Sequence, residues 1–206
     1  MSKGFRNPSI RELYLFPTAN PDLRPERMWN HELSWMQRFA GDKIATELTA
    51  YLIRGENLIL LVPNSSSPPP MKNQNSGDFR HNGLEFSIKY SPSGSITLNG
   101  AYSYLHMDAP KISAPVHQLM AGAHYRVKLW SGSLRLRHYE KLYTMVTPQN
   151  TTTESFTLLR ADVTYRISKW LSVSLSGENL LNQKYQMQYG YPMPGATVFG
   201  GLTIRI

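Results

Sequence analysis

Apolar and polar residues alternate with a period of two along most of this chain. Leu84, Phe86, Ile88 and Tyr90 alternate with Glu85, Ser87 and Lys89. Ile96, Leu98, Gly100, Tyr102 and Tyr104 alternate with Thr97, Asn99, Ala101 and Ser103. The same rhythm runs through Leu119–Leu129, Leu159–Ile167, Leu171–Leu175 and Val198–Ile206. Side chains at i and i+2 share one face of a strand, so each segment predicts a strand with one apolar and one polar face. Strands are expected at about 1–8, 26–39, 43–62, 79–90, 95–107, 116–130, 133–145, 154–168, 170–184 and 196–206, and no helix of useful length is expected.

The connections alternate as well. Short turns are expected at Ala40-Gly41-Asp42-Lys43, Ser91-Pro92-Ser93-Gly94, Ser131-Gly132 and Ser168-Lys169. Long links fall at about 9–26, 63–79, 106–116, 146–154 and 183–195. The link from Pro63 to Gly77 carries consecutive prolines at 68–70 and is expected to be irregular. The result is an antiparallel up-and-down meander with its short turns at one end. A soluble barrel or sandwich would turn the apolar faces inward. An outer-membrane barrel turns them outward, with short periplasmic turns, long extracellular loops and strands of roughly ten residues. Closure satisfies every backbone hydrogen bond in lipid. Trp35, Phe39, Tyr90, Trp130 and Trp170 lie by the short turns, and Tyr51, Tyr102, Tyr104, Tyr139 and Tyr143 nearer the long loops, as two aromatic girdles would. Trp130 follows Leu129, so its phase is wrong for a girdle unless the turn reorients it.

Composition narrows the choice. The chain has 206 residues, 41% hydrophobic and 17% charged, with a net charge of +8. With no cysteine it has no disulfide, thiolate metal site or cysteine nucleophile. The longest aliphatic run, Leu58–Val62, is far short of the roughly 20 residues of a spanning helix. Met1–Arg6 is followed by Pro8 rather than by an apolar stretch, so no signal peptide is read; either the protein stays inside the cell or the true N-terminus is missing. The basic residues are scattered, and no nucleic-acid partner is expected.

Both ends of the chain resemble TonB-dependent outer-membrane receptors. Ser2–Tyr14, with Phe5, Arg6 and Pro8, looks like the strand end and loop start before a late extracellular loop. Asn20, Pro21, Leu23, Pro25 and Glu26 are similar to the entry into the next strand. Asn179, Leu180 and Tyr185 resemble a conserved late signature, and Gly190, Pro192 and Gly195 look like the last loop before the closing strand. The prolines withhold backbone donors where pairing should stop, and Arg24 and Glu26 are expected to cap a strand in wet surroundings. Any one of these residues is expected to shape loops and strand ends rather than to touch ligand.

The resemblance implies an all-β fold. Residues 1–206 would be the C-terminal portion of the barrel, an antiparallel up-and-down transmembrane segment of about ten of the 22 strands such a plugged barrel holds. It implies that the plug and the TonB-contacting segment are absent here. Met1 would fall inside a strand, as an internal or mis-assigned start or a cloning boundary. It implies a location in the cell outer membrane and uptake of a large, scarce nutrient. Partners would be the bilayer and its lipopolysaccharide, the TonB complex in the intact receptor, the barrel assembly machinery and a small nutrient ligand. Such barrels commonly end in Phe, where this chain has Ile206. Haem receptors of the family place a His between the two N-terminal motifs. Ser9–Ala19 contains none, which leaves a ferric siderophore or corrinoid. The alternatives are a small porin-like passive barrel and a soluble all-β binding module.

Catalytic constellations are poor, and neither an enzyme nor a cofactor is expected. His31, His81, His106, His117, His124 and His138 lack metal-ligand spacing. No G-x-S-x-G occurs, and Gly195 and Gly200-Gly201 precede no helix that would make a phosphate loop. His138 with Glu140 hints only faintly at a rim protease, and His106-Met107-Asp108 reads as a solvated loop. Lys89, Arg126, Lys128, Arg135, Arg137, Arg160 and Arg166 occupy the polar phase. They would line a lumen that favours anionic ligands, or pair with plug carboxylates, Glu85 or Asp162.

Overall fold

The computed structural model describes residues 1–64, 68–147 and 149–205. Ten strands form one sheet: β1 (Ser2–Arg6), β2 (Glu26–Phe39), β3 (Ile44–Glu56), β6 (Phe79–Ser93), β7 (Ile96–Met107), β8 (Pro115–Val127), β9 (Trp130–Val146), β10 (Thr151–Arg166), β11 (Leu171–Glu178) and β14 (Thr197–Ile204), in that order. Two short hairpins stand apart, β4 (Ile59–Pro63) with β5 (Met71–Asn75), and β12 (Gln186–Gln188) with β13 (Tyr191–Pro192). Among the described strands β1 and β14 remain the sheet's edges, so closure is not formed.

Register follows the alternation. Leu98, Ala123, Leu134, Ala161 and Gly177 stand in one row on the apolar face. Thr97, His124, Ser133, Asp162 and Ser176 form the adjacent row on the polar face. Large apolar side chains are left outside: Leu33, Trp35, Leu134, Leu175, Leu202 and Ile204 are all exposed. Among the described residues the buried apolar ones are Leu23, Met107, Leu142 and Phe156. A soluble domain of this length buries far more. The apolar face is therefore the one that needs a nonaqueous neighbour.

Several sequence expectations need correction. The β8–β9 turn is not at Ser131-Gly132 but at Lys128-Leu129, where Lys128 takes φ 54°. A two-residue turn with positive φ matches strand twist. It pairs Val127 with Trp130, so Trp130 returns to the apolar face and stacks on Tyr165 at 4.6 Å. Lys128 thereby lies in the turn rather than on the polar face. The strand expected over 43–62 ends at Glu56, where Asn57 (φ 61°) turns the chain out of the sheet. Leu58–Val62 then enters the β4–β5 hairpin, so the link expected to be irregular holds a strand at 71–75. Ser65–Ser67 of that link, Pro148 and the terminal Ile206 lie outside the described residues. The strand expected over 170–184 stops at Glu178. The loop after β1 contains one π-helical turn, Arg11–Leu15. In the expected upper girdle, Tyr102 is exposed on the apolar face, whereas Tyr139 lies on the polar face against Phe156.

The contacts divide the chain into two compact units. One comprises Met1–Leu33, Ala50–Gly83 and His106–Ala109; the other Ser34–Thr49, Leu84–Leu105 and Pro110–Ile206.

Candidate functional site at the loop end of the polar face

In the first unit the N-terminal motifs knot a loop. Arg6 and Glu26 are cross-strand partners. The Arg6 guanidinium donates to Glu26 through Nε at 2.6 Å and Nη2 at 2.8 Å, and to Glu12 through Nη1 at 3.0 Å and Nη2 at 3.1 Å. Glu12 also accepts from Ser9 N and Oγ, and Glu26 from Ile59 N. Asn20 Nδ2 donates to Asn73 O at 2.9 Å. Asn75 accepts from Arg24 N at 2.7 Å and donates to Arg24 O. Leu23 is buried. Pro8, Pro21 and Pro25 fall between β1 and β2, where the ladder is open. Phe5 points the other way, opposite Arg27 and exposed. Glu26 thus closes an ion-pair knot rather than capping its strand in water, and the backbone of Arg24 is held by Asn75.

The knot sits where β1 ends and β2 begins, with Glu12 in the loop between them. The Arg6 hydrogen bonds hold Glu12 down at about 2, against a usual 4.5, and keep Glu26 low as well. Depressed carboxylates stabilise fully above their unfolded pKa and lose that contribution as pH falls through the folded value. Acidification from 4.5 toward about 2 is therefore expected to loosen residues 9–26. Arg6→Gln should do so near neutral pH, raising amide exchange there about tenfold or more. Equal exchange in the variant and the parent would remove the knot's role.

In the second unit the C-terminal motif makes a clamp. Asn179 is buried and takes φ 47°, which a short amide tolerates. Its Oδ1 accepts from Gln183 N at 3.0 Å, and its Nδ2 donates to Gln183 O at 2.9 Å and Pro194 O at 3.0 Å. Asn182 Oδ1 accepts from Ala196 N at 3.0 Å; a Cβ on Gly195 would come within 2.7 Å of that oxygen. Leu180 N donates to Leu159 O, and the Leu180 side chain fills the space over Gly177. Tyr185 stacks on Phe156 at 4.4 Å, and burial pushes its phenol up. Gly190, at φ 84°, turns the β12–β13 hairpin, and Pro192 pairs with Gln186. Glu154 accepts from Gln186 N and Nε2 and ties the hairpin to β10.

These loop residues meet the polar face at a cavity of about 310 Å³. Arg135, Arg137, Arg160, Glu178, Asn179, Tyr185, Met193 and Gly195 line it. Arg160 is committed: it holds Asp162 at 3.0 Å and pairs with Glu178. Ser133 Oγ also donates to Asp162 at 3.0 Å. Among the described residues no carboxylate is within ion-pair distance of Arg135 or Arg137. Two uncommitted guanidiniums beside an aromatic ring and a thioether can bind an anion with apolar flanks. A second concavity, over Glu47, Thr49, Glu85, Ser87 and Gln118, is acidic and polar instead. The motif residues were quoted from sequence, but the meeting of Asn179, Tyr185 and Gly195 with Arg135 and Arg137 was not. Only the β9–β10–β11 register joins them.

His138 Nε2 lies 3.4 Å from Glu140, and its Nδ1 bonds Thr157 Oγ1 at 2.9 Å. His106 pairs with Asp108 at 3.3 Å, both half exposed. Among the described residues no group of three His, Cys, Asp or Glu could hold a metal ion.

Residues 1–180 match the family model "TonB dependent receptor-like, beta-barrel". An iron-regulated outer membrane virulence protein of Vibrio cholerae serotype O1 is 25% identical over 99% of this chain and 36% of its own length. The chain thus spans about a third of the curated relatives it matches. Among solved structures, copper transporter OprC superposes with a TM-score of 0.77 at 17% identity, over 99% of this chain and 36% of that one. The ferripyoverdine receptor of the outer membrane of Pseudomonas aeruginosa, bound to ferripyoverdine, gives 0.75 at 17% identity, over 98% and 30%. The FrpB iron transporter from Neisseria meningitidis gives 0.71 at 16% identity, over 89% and 32%.

Proposed function

This chain belongs to the TonB-dependent receptor-like β-barrel family and is an outer-membrane β-barrel portion, and from that premise we propose that it is the C-terminal part of a receptor importing a large, scarce, anionic nutrient. A ferric siderophore is the favoured class, with a corrinoid second. The observation that carries the reading is the cavity where Arg135 and Arg137 face the last long loop, with no carboxylate partner among the described residues. The polar face is the lumen of such a barrel, so these guanidiniums meet whatever the loops admit. Ligand binds at the loops, and energy reaches a plug from the TonB complex. The barrel assembly machinery inserts the chain, and no step is enzymatic. A small passive pore is less favoured, because β1 and β14 stay as edges of an open sheet.

The test uses the complete receptor that carries this chain. Reversing both charges, Arg135→Glu with Arg137→Glu, is expected to weaken binding of a ferric catecholate by about tenfold, with a flatter salt dependence. Lys169→Glu, in a short turn, should leave binding unchanged. Undiminished binding in the double variant would remove the cavity from the path. Steady ohmic conductance of the purified receptor in a planar bilayer would replace uptake by a passive pore.

A further inference from the structure

The short-turn end of the second unit gathers cations. Arg126 (β8) and Arg166 (β10) stand on the polar face, and Lys128 lies in the turn between β8 and β9. Register brings them together: Arg126 is opposite Ser131, Ser131 is opposite Thr164, and Arg166 follows Thr164 on the same face. The Arg166 backbone N donates to Leu129 O at 2.9 Å, and its Nη2 donates to Lys128 O at 3.5 Å. The guanidinium therefore lies against the turn that carries Lys128. Arg126, Lys128 and Arg166 are all exposed.

Among the described residues no carboxylate is within ion-pair distance of these three cations. The acids toward this end are engaged elsewhere. Asp42 pairs with Arg38 at 3.8 Å, and Asp162, one row further in, is held by Arg160 and Ser133. Glu47 and Glu85 line the separate acidic concavity. Beside the cations opens a concavity of about 440 Å³, walled by Thr97, His124, Arg126, Ser131, Ser133 and Thr164, with Asp162 at its inner edge. Arg135 stands further along β9 from Ser131, roughly 13 Å away at about 3.3 Å per residue. The polar face of this unit thus holds two basic sites, with the neutralised Arg160–Asp162 pair between them.

Like charges brought together without a counter-charge repel, and an anion that enters between them relieves this. Guanidiniums and hydroxyl donors around a concavity of this size suit a small, multiply charged anion. Arg126 and Arg166 lie on the lumen face rather than the apolar face, which favours a solute over a lipid head group. We propose that Arg126, Lys128 and Arg166 form an exit subsite, which takes the anionic nutrient at the periplasmic mouth of the complete barrel once it has left Arg135 and Arg137. The inference rests on the uptake reading above and on the short turns facing the periplasm.

The test uses the complete receptor in cells and a radiolabelled ferric catecholate. Equilibrium binding is measured without TonB, and uptake with it. Arg126→Gln with Arg166→Gln is expected to leave binding unchanged and to slow uptake about tenfold. Arg126→Lys with Arg166→Lys keeps both charges and should restore most of the rate. Lys43→Gln, in another short turn, should change neither quantity. A dye on Ser95→Cys, in the concavity wall, reports arrival, because the ferric complex quenches it. That quench should appear only in energised cells and should shrink in the double variant. Parent-like uptake in the double variant would overturn the subsite alone. Slow uptake accompanied by faster entry of vancomycin would also overturn it, by showing that these side chains hold the plug. A parent receptor that binds no ferric catecholate would instead overturn the uptake reading, and the subsite with it. Heat-modifiable migration checks folding. If the double variant does not assemble, Lys128→Asn, which suits the positive φ of its turn, decides; it should slow uptake about threefold.

Discussion

Leu134→Arg is expected to destabilise the barrel by about 2–4 kcal/mol, while Ser133→Arg, one residue away, costs far less. Leu134 sits between Ala123 and Ala161 on the apolar face and is 49% exposed there. Four residues above Trp130, it lies roughly 10 Å into the band, near its middle. A guanidinium at that depth loses its hydration, and its Leu and Ala neighbours offer no counter-charge. Ser133 lies on the polar face against Asp162, which would partner a new cation. Urea unfolding of the receptor in lipid vesicles measures both. If Ser133→Arg were the more damaging change, the polar face would be the packed one and the membrane orientation would be wrong.

The second large effect is expected at Asn179. Asn179→Leu removes three hydrogen bonds to main-chain groups of Gln183 and Pro194. Each buried group left without a partner costs about 1–3 kcal/mol, and a γ-branched side chain at φ 47° adds strain. A loss of about 3 kcal/mol or more is expected, concentrated in residues 179–196. Asn179→Asp keeps the acceptor for Gln183 N and loses both donations, so it should fall between. Asn179→Gly relieves the backbone but keeps none of the bonds. Limited proteolysis reads the loop, and thermal unfolding reads the sheet. Cleavage unchanged in Asn179→Leu would show that Asn182 and Glu154 hold the loop without it. Because Asn179, Tyr185 and Gly195 also line the arginine cavity, ligand binding should weaken with loop order.

Particular residues show where local pattern was enough and where it was not. Leu84–Tyr90 and Leu159–Ile167 were read correctly, faces included, because alternation is a property of each residue and its second neighbour. Trp130 is out of phase in the sequence only because its turn is expected three residues late, an odd offset that swaps the two faces. A turn at Lys128-Leu129 needs positive φ at a lysine, which no composition cue announces. Met71–Asn75 has little strand propensity. It becomes a strand because Ile59–Pro63 pairs with it, while Asn73 and Asn75 bond Thr18 and Arg24.

The site divides the same way. Sequence motifs named Arg6, Glu26, Asn179 and Tyr185, but not that Arg6 clasps both Glu12 and Glu26, nor that Tyr185 shelters on Phe156. The basic phase was visible, but not which arginines are committed. Arg160 has Asp162 two residues away and Glu178 across the sheet; Arg135 and Arg137 have neither. A two-residue period is local, so strands, their two faces, the meander and the family could be read from the chain alone. Which polar groups pair, which loops fold back as hairpins, and which cations stay uncommitted depend on residues far apart in sequence. Those meet only when register aligns the strands, and that alignment belongs to the tertiary structure.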